Sequence, residues 1–587
     1  MTDQRLYRLA FAPAIVAIVV LLFSLQPVPE PLSAPLTLDR FDQTSAELTA
    51  EEIVRTAPER TPGSEGDSAI ADMVAKRFTA IPSAEVSEQR VSSSFDGDDV
   101  ELRNVIATLP GQSDGRIVML APRDAATGPG AASSAAATAV LLDIAERFGD
   151  AAHRKTLVFV STTGGTDGAT GAREFAEAHP ERDLIEAALV VSQPGALEPE
   201  PPFVIPWSTG RQSTAIQLTE TAADIVSAEI GRPVGLEGSL GELMRLALPT
   251  GLGEQAPLIE HGLDAVAISS DGERPIAAIE DGSDSLSSDT VAEFGQAAQT
   301  IVLALDSNPG PPEHGPGTYI NFAGNLIPGW SLALVTIALL LPAAVAAADG
   351  WARAIRRDWG RPRDLGWVLG RVLPLIGVLL LAWVMSLVGL LPSPRFPYDP
   401  ARFGLGWRAA IVSLLLAVAL FAALTAARPL RVPRGATPEG LAPAIGVVMS
   451  SAAVAMWLLN PFLAFGAIPA AHAWLAGTIE DPRRRFAATL AAIGIALVPV
   501  VVGLTWIASR LEVGIAAPWH ALLMLAGGQL GPGQALLGCL FAGSLLAMLA
   551  VALAPPAPEL EPRISVERNP DLPGTRDGVD GSPMASG

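Results

Sequence analysis

Residues 116–148 read RIVMLAPRDAATGPGAASSAAATAVLLDIAERF, residues 155–178 read KTLVFVSTTGGTDGATGAREFAEA, and residues 184–195 read LIEAALVVSQPG. Three short apolar strands alternate here with two helical segments. Continuous apolar runs of this kind belong to strands buried on both faces. Their alternation with helices specifies an α/β fold, a mixed and largely parallel sheet flanked by helices. Every loop where such a sheet would carry catalytic groups ends in Ala, Ser, Gly or Thr. The stretch has the pattern of an enzyme scaffold whose chemistry has been removed.

Working outward, the same domain extends over residues 38–307. Helical spacing covers 44–57 and 67–80, strand alternation covers 85–93 and 100–109, and 214–231 reads as a strand followed by a helix. Residues 263–269 (LDAVAIS) read as another buried strand, and 290–305 as a closing helix. A Pro-rich spacer at 26–37 precedes the domain, and a Gly/Pro-rich linker at 308–325 follows it.

The flanks are apolar. Residues 1–8 read as a cytoplasmic N-terminus carrying Arg5 and Arg8, and residues 9–25 as an uncleaved signal-anchor helix. A cleaved signal peptide ending at Ala34 is the rival reading. Residues 326–554 contain apolar segments near 327–347, 366–390, 409–427, 441–459, 461–477, 487–508 and 535–554. They form a helical transmembrane bundle of about seven spans. A shorter segment at 517–529 is re-entrant or a further span, which gives eight or nine spans with the anchor. Three loops are strongly basic: Arg353, Arg356, Arg357, Arg361 and Arg363; Arg428, Arg431 and Arg434; Arg483, Arg484 and Arg485. With the N-terminus inside, strict alternation puts all three in the cytoplasm. The expectation is a multi-pass protein of the plasma (cell) membrane, with residues 26–325 outside the cytoplasm and a disordered tail at 555–587.

Charge and cysteine content exclude other classes. The net charge is −22, and in the middle region acids outnumber bases roughly two to one. Such a surface repels nucleic acid, so the expected partners are the lipid bilayer and a protein or peptide. Cys539 is the only cysteine, which excludes a disulfide framework and a cysteine-based zinc site. Ser133, Ser134 and Ser192 have no nucleophile elbow around them and no histidine placed to act as base. In the bundle, Asn460 and His472 are the polar candidates. Asn460-Pro461 reads equally as a turn between two spans.

Five pieces of the middle domain carry a family pattern in order: RTPGSEG at 60–66, NVIATLPG at 104–111, GPGA at 128–131 with its following helix, TLVFV at 156–160 with GAREFA at 171–176, and EQAPLIEHGLDAV at 254–266. Together they resemble the M28 family of zinc-dependent aminopeptidases over most of residues 50–305. The resemblance implies two zinc ions bridged by a carboxylate, flanking His and acid ligands, and a glutamate as general base. Carried over residue by residue, the first His falls on Pro122, with the following acid kept as Asp124. The bridging Asp falls on Ser133, and the paired glutamates fall on Gly165 and Thr166. The next Asp falls on Ser192, and the last His falls near Glu280, with Asp284 at the later acid. Asp167 is one position from the lost glutamates. Pro, Ser, Gly and Thr do not replace His and carboxylate as zinc ligands.

The expected reading is therefore a degenerate cleft with no catalytic residue, metal or cofactor, in a membrane-anchored pseudopeptidase that acts as a binding, scaffold or assembly subunit. The architecture is similar to pseudopeptidase members such as the M28-like subunit of GPI transamidase, nicastrin and nicalin. Two alternatives stand beside it: an active zinc-dependent membrane aminopeptidase, and a transporting bundle that the outer domain regulates.

Overall fold

The structure is a computed structural model that describes residues 4–35, 40–95, 98–125, 128–165, 168–199, 203–278, 280–359, 362–433 and 436–554. The expected disordered tail lies outside the described residues, as do Thr166, Asp167, Arg361 and Arg434. Residues 1–553 form one compact unit.

The described residues contain ten strands: β1 (Gln26–Pro27), β2 (Glu85–Phe95), β3 (Asp98–Leu109), β4 (Ser113–Pro122), β5 (Lys155–Thr162), β6 (Ile185–Gln193), β7 (Val204–Ile205), β8 (Ala265–Ser269), β9 (Tyr319–Phe322) and β10 (Asn325–Pro328). The main sheet has the order β2-β3-β5-β4-β6-β8-β7. Strands β5, β4, β6 and β8 are mutually parallel. The hairpin β2–β3 joins antiparallel at one edge and β7 at the other.

Side chains alternate across a strand, and here both sides are covered. Ile117, Met119, Leu157, Phe159 and Leu189 enter one core. Their neighbours Val118, Leu120, Val158, Val160 and Val190 enter the other. This double burial is why the strands lack polar alternation. The larger core lies under helices Gln43–Thr56, Glu65–Ala80, Ala136–Gly149, Ile216–Ile230 and Ser288–Ser307. Three of these are capped by their own N-terminal side chains, Asp42, Ser64 and Ser287, each satisfying a backbone N–H that would otherwise lack a partner. The expected strand at the start of 214–231 is absent. The helix begins at Ile216, and β7 supplies the edge strand earlier in the chain.

Among the described residues, seven helices are long and apolar enough to cross a membrane: Gln4–Phe23, Gly329–Arg356, Pro362–Leu387, Trp407–Ala427, Pro438–Leu459, Pro482–Arg510 and Pro532–Leu553. The expected span at 461–477 is not one helix. It breaks into Pro461–Gly466, Ile468–Ala473 and a 3-10 turn, Trp474–Thr478, because Pro461 and Pro469 each lack a backbone donor. The segment nonetheless runs the length of helix Pro438–Leu459. Asn460 touches the α/β domain at one end, while at the other Gly477 and Trp474 face Ala442 and Gly446. The short helix Ala517–Ala526 stays beside the domain, where Gln529 donates to Thr209 O and Pro249 O.

Neither expected linker is free. Glu30 O and Leu32 N bond to Gln217 and Thr221 of helix Ile216–Ile230. Gly310 O accepts from Lys155 Nζ, and Gly317 O from Ser213 N. Strand β1 pairs with β10, which pairs with β9. Entry to and exit from the domain are thus zipped side by side.

Asn460 is 1% exposed and fully used. Its Nδ2 donates to Leu246 O and Ala247 O, and its Oδ1 accepts from Phe462 N and Leu463 N. It caps the first piece of the broken span and docks the domain. His472 is packed between Tyr7 and Phe11, with its Nδ1 against Ile468 O.

Candidate functional site

The carboxyl ends of β4, β5 and β6 bring together Pro122, Asp124, Thr162, Gly165 and Ser192, with Ser133 on the turn that follows. The loops there are short and internally bonded. Arg123 N donates to Thr162 O, and Ala125 N to Arg60 O.

Two acids form the floor. Asp124 is 3% exposed, and its Oδ1 accepts from Gly165 N at 3.2 Å while Oδ2 is buried without a partner. Glu254 is 4% exposed, and the Thr162 hydroxyl lies 2.7 and 2.8 Å from its two oxygens. A carbon placed on Gly165 would sit 3.3 Å from Glu254 Oε1, 3.4 Å from Pro122 Cβ and 3.6 Å from Asp124 Oδ1. Pro122, Asp124, Gly165 and Glu254 therefore converge on one small volume.

A third acid closes the side. Gly130 takes φ +55° and launches a π turn, Ala131–Ala135, an irregularity that recurs at functional sites. Asp281 sits over this turn. Its Oδ1 accepts from Ala132 N at 2.8 Å and Ser133 N at 3.1 Å, and its Oδ2 accepts from Ser133 Oγ at 2.5 Å. Glu280, the acid singled out from the sequence, is exposed, and its neighbour Asp281 points inward instead. The correction is a one-residue register shift in a loop, where no periodicity fixes which side chain turns in. Gln193 holds this loop in place: its Nε2 donates to Arg274 O and its Oε1 accepts from Ile276 N. Ser192 is partly exposed beside it. Sequence reading did not single out Glu254 as a site residue. The available signal was an acid opening the EQAPLIEHGLDAV segment after a small and apolar run, residues 246–253.

Buried arginines frame the cleft from behind. Arg60 donates to Arg123 O, Ala57 O and Ser134 Oγ. Arg123 pairs with Asp67 at 2.8 Å, with both side chains buried. The histidines are engaged elsewhere: His153 with Lys155 O, His179 on the Phe175 ring, His261 with Glu177, and His314 with Asp264. The loop 391–403 of the bundle reaches the site from the membrane side. Pro397 O accepts from Gly168 N, and Phe396 O from Arg173 Nη2. Beside the π turn lies an open groove of about 760 Å³, lined in part by Glu51, Arg55, Pro129, Asp284 and Leu286.

Burial dominates the electrostatics. It raises Asp124 to about 6, with the Asp67 charge adding and the Gly165 N–H opposing. Burial raises Glu254 to about 8, against the Thr162 hydrogen bond, with Asp124 adding and Arg123 opposing. Asp281 rises to about 6 for the same reason, its Ser133 bonds opposing. An unfolded carboxyl titrates near ~4, so the folded chain holds more protons between that value and each raised one. Stability is then greatest at low pH and falls as pH rises through the window. For Glu254 the window extends to about 8, with a slope of up to about 1.4 kcal/mol per pH unit per proton. Glu254→Gln is expected to flatten this decline in pH-dependent thermal unfolding. An unchanged slope in the variant would assign the protons elsewhere.

Among the described residues, no group of three or more His, Cys, Asp or Glu side chains is placed to hold a metal ion. Of the positions that the resemblance assigns to zinc ligands, Pro122, Ser133 and Gly165 offer no side chain of the required kind. The three inward acids bond to Thr162, Ser133 and backbone N–H groups, and Asp124 Oδ2 has no partner among the described residues.

Residues 104–242 match the model of peptidase family M28. The mixed sheet with its flanking helices is that family's fold, carried by a chain with seven candidate membrane helices. No curated protein sequence matches the chain. Among solved structures, a glutaminyl cyclase from Porphyromonas gingivalis is 18% identical, covers 45% of this chain and 98% of its own, and has a TM-score of 0.33. A leucine aminopeptidase precursor from Bacteroides thetaiotaomicron is 17% identical, covers 46% and 99%, and has a TM-score of 0.35. A zinc-dependent exopeptidase from Parabacteroides distasonis is 16% identical, covers 46% and 99%, and has a TM-score of 0.34.

Proposed function

We propose that the chain is a multi-pass protein of the cell membrane whose M28-like domain stands outside the cytoplasm. There it acts by binding, as a scaffold or assembly subunit for a protein or peptide partner, without hydrolysis. One observation carries this reading. The positions that correspond to zinc ligands hold Pro122, Ser133, Gly165 and Ser192, and the acids beside them bond to hydroxyl and backbone groups of the chain itself. A hydrolase of this fold activates a metal-bound water, and these side chains cannot hold the metal. The groove beside Pro129 and Asp284 offers an extended partner a place to lie.

The orientation has its own support. Helix Gly329–Arg356 ends in Arg353 and Arg356, away from the domain. Trp367 and Arg371 meet Arg431 O at that same end, and Arg483–Arg485 open helix Pro482–Arg510 there. Basic clusters gathered at one end favour the cytoplasmic side, with the first helix as an anchor whose N-terminus is inside.

The test uses the full chain purified in detergent. Zinc is measured by elemental analysis, and aminopeptidase activity is assayed with and without a chelator. The expected result is substoichiometric zinc and no chelator-sensitive hydrolysis. Stoichiometric zinc with chelator-sensitive activity would overturn the reading in favour of a working aminopeptidase.

A further inference from the structure

Away from the cleft, a second concavity lies between the start of helix Ile216–Ile230, helix Ser239–Ala247, segment 206–213 and strand β9. Its volume is about 50 Å³, room for one small group, and its walls include Trp207, Ile216, Glu220, Glu242, Leu246 and Tyr319. Its charges do not balance. Arg245 also lines it, but that guanidinium is held by Glu237 at 2.7 Å and Glu273 at 2.5 Å, and Arg510 adds a second cation on Glu237 at 2.9 Å. Two cations therefore meet two anions in that group. Glu220 and Glu242 are left over. Glu242 accepts only from Asn321 N, and Glu220 has no partner among the described residues.

Two half-buried carboxylates that line one concavity, with no cation bonded to either among the described residues, are unfavourable as they stand. Glu242 is raised to about 7, by burial first and then by Glu237 and Glu220, and burial raises Glu220 as well. The chain tolerates the pair inside a concavity with apolar and aromatic walls. Trp207 and Tyr319 are aromatic walls of the concavity, and the Arg245 guanidinium lies 5.1 Å from the Trp207 ring centroid. Among the described residues no third ligating group joins the two carboxylates, and Ile216, Leu236 and Leu246 suit carbon better than a hydrated metal.

We propose that this pocket binds a primary ammonium group, with Glu220 and Glu242 as its anionic anchors and Tyr319 and Trp207 as its walls. The pocket lies where the domain sits on the bundle. Leu246 O receives Asn460 Nδ2, and Met244 and Leu248 lie over Gly503 of helix Pro482–Arg510. Leu240 and Phe322 are 65% and 57% exposed on the same margin. An ammonium arrives there either on an aminophospholipid headgroup or on a soluble amine, and both present the same chemistry to the two carboxylates.

The experiment places the full chain in phosphatidylglycerol nanodiscs. It measures thermal stability against added ethanolamine and, separately, against a rising phosphatidylethanolamine fraction. The double variant Glu220→Gln/Glu242→Gln is run alongside, with single Glu220→Gln as the backup should the double fail to fold. The expected result is stabilisation of the wild type by at least one probe, with apparent affinity about tenfold or more weaker in the variant. A response to phosphatidylethanolamine alone assigns the headgroup, and a response to ethanolamine assigns the soluble amine. No response to either probe, or an equal response in wild type and variant, would overturn the proposal.

Discussion

Arg245→Ala is expected to cost about 3–5 kcal/mol of stability, because it leaves buried carboxylates without their cation. Arg245 is 4% exposed. Its Nε and Nη2 reach Glu237 Oε1 at 3.0 and 2.7 Å, and its Nη1 and Nη2 reach Glu273 at 3.0 and 2.5 Å. The guanidinium lies 5.1 Å from the Trp207 ring centroid and 5.5 Å from that of Trp506, which belongs to a membrane helix. Truncation leaves Glu237 with Arg510 alone and takes from Glu273 the guanidinium it shares with Glu237. Thermal unfolding in detergent micelles, with limited proteolysis, measures the loss. Replacing Arg245, Glu237 and Glu273 together by apolar residues of similar volume should cost far less, since a fully removed buried ion group is often neutral. A loss below about 1 kcal/mol for Arg245→Ala would mean that water reaches the carboxylates and screens them.

Arg123→Met should have a similar cost, about 3–5 kcal/mol, by a different route. Arg123 is 0% exposed and Asp67 is 2% exposed. Besides the Asp67 pair, Arg123 donates to Ser161 O at 3.0 Å and to Arg103 O. Asp67 in turn accepts from Gly63 N at 3.0 Å and Thr163 Oγ1 at 2.9 Å. The pair thus ties the 60–66 turn, β3 and the loop after β5 into one piece. Met fills the volume but leaves Asp67 charged and buried. Adding Asp67→Asn to Arg123→Met should recover part of the loss, in the same unfolding assay. No recovery would shift the cost to the unpaired strand carbonyls.

These arginines show why the α/β domain could be read before its site. The strands announce themselves because both faces are buried, so Leu157 to Val160 is apolar without interruption. The hairpin β2–β3 is legible from its alternation. Strand β7 is not, because two residues carry no period. The turn at 60–66 matches a family pattern for a structural reason: Arg60 and Asp67 hold the scaffold together. The site is less legible. Which of Glu280 and Asp281 turns inward depends on loop register, and Glu254 acquires its role only when helix Gln255–Glu260 brings it to Thr162. In the bundle, hydropathy marks 461–477 as apolar but does not record that Pro461 and Pro469 divide it. Asn460, readable as a functional polar group or as a turn, is a cap and a clamp.

The short pairing of β1 with β10 and β9 bears on motion. A domain hung from a single flexible tether swivels, and whatever happens to it is lost in the tether. Here both ends of the domain are stitched together directly above a pair of packed helices, Ala12–Phe23 and Gly329–Arg356. The stitch removes the swivel. A force applied to the α/β domain would therefore exert torque on that helix pair, and the bundle would feel it as a twist.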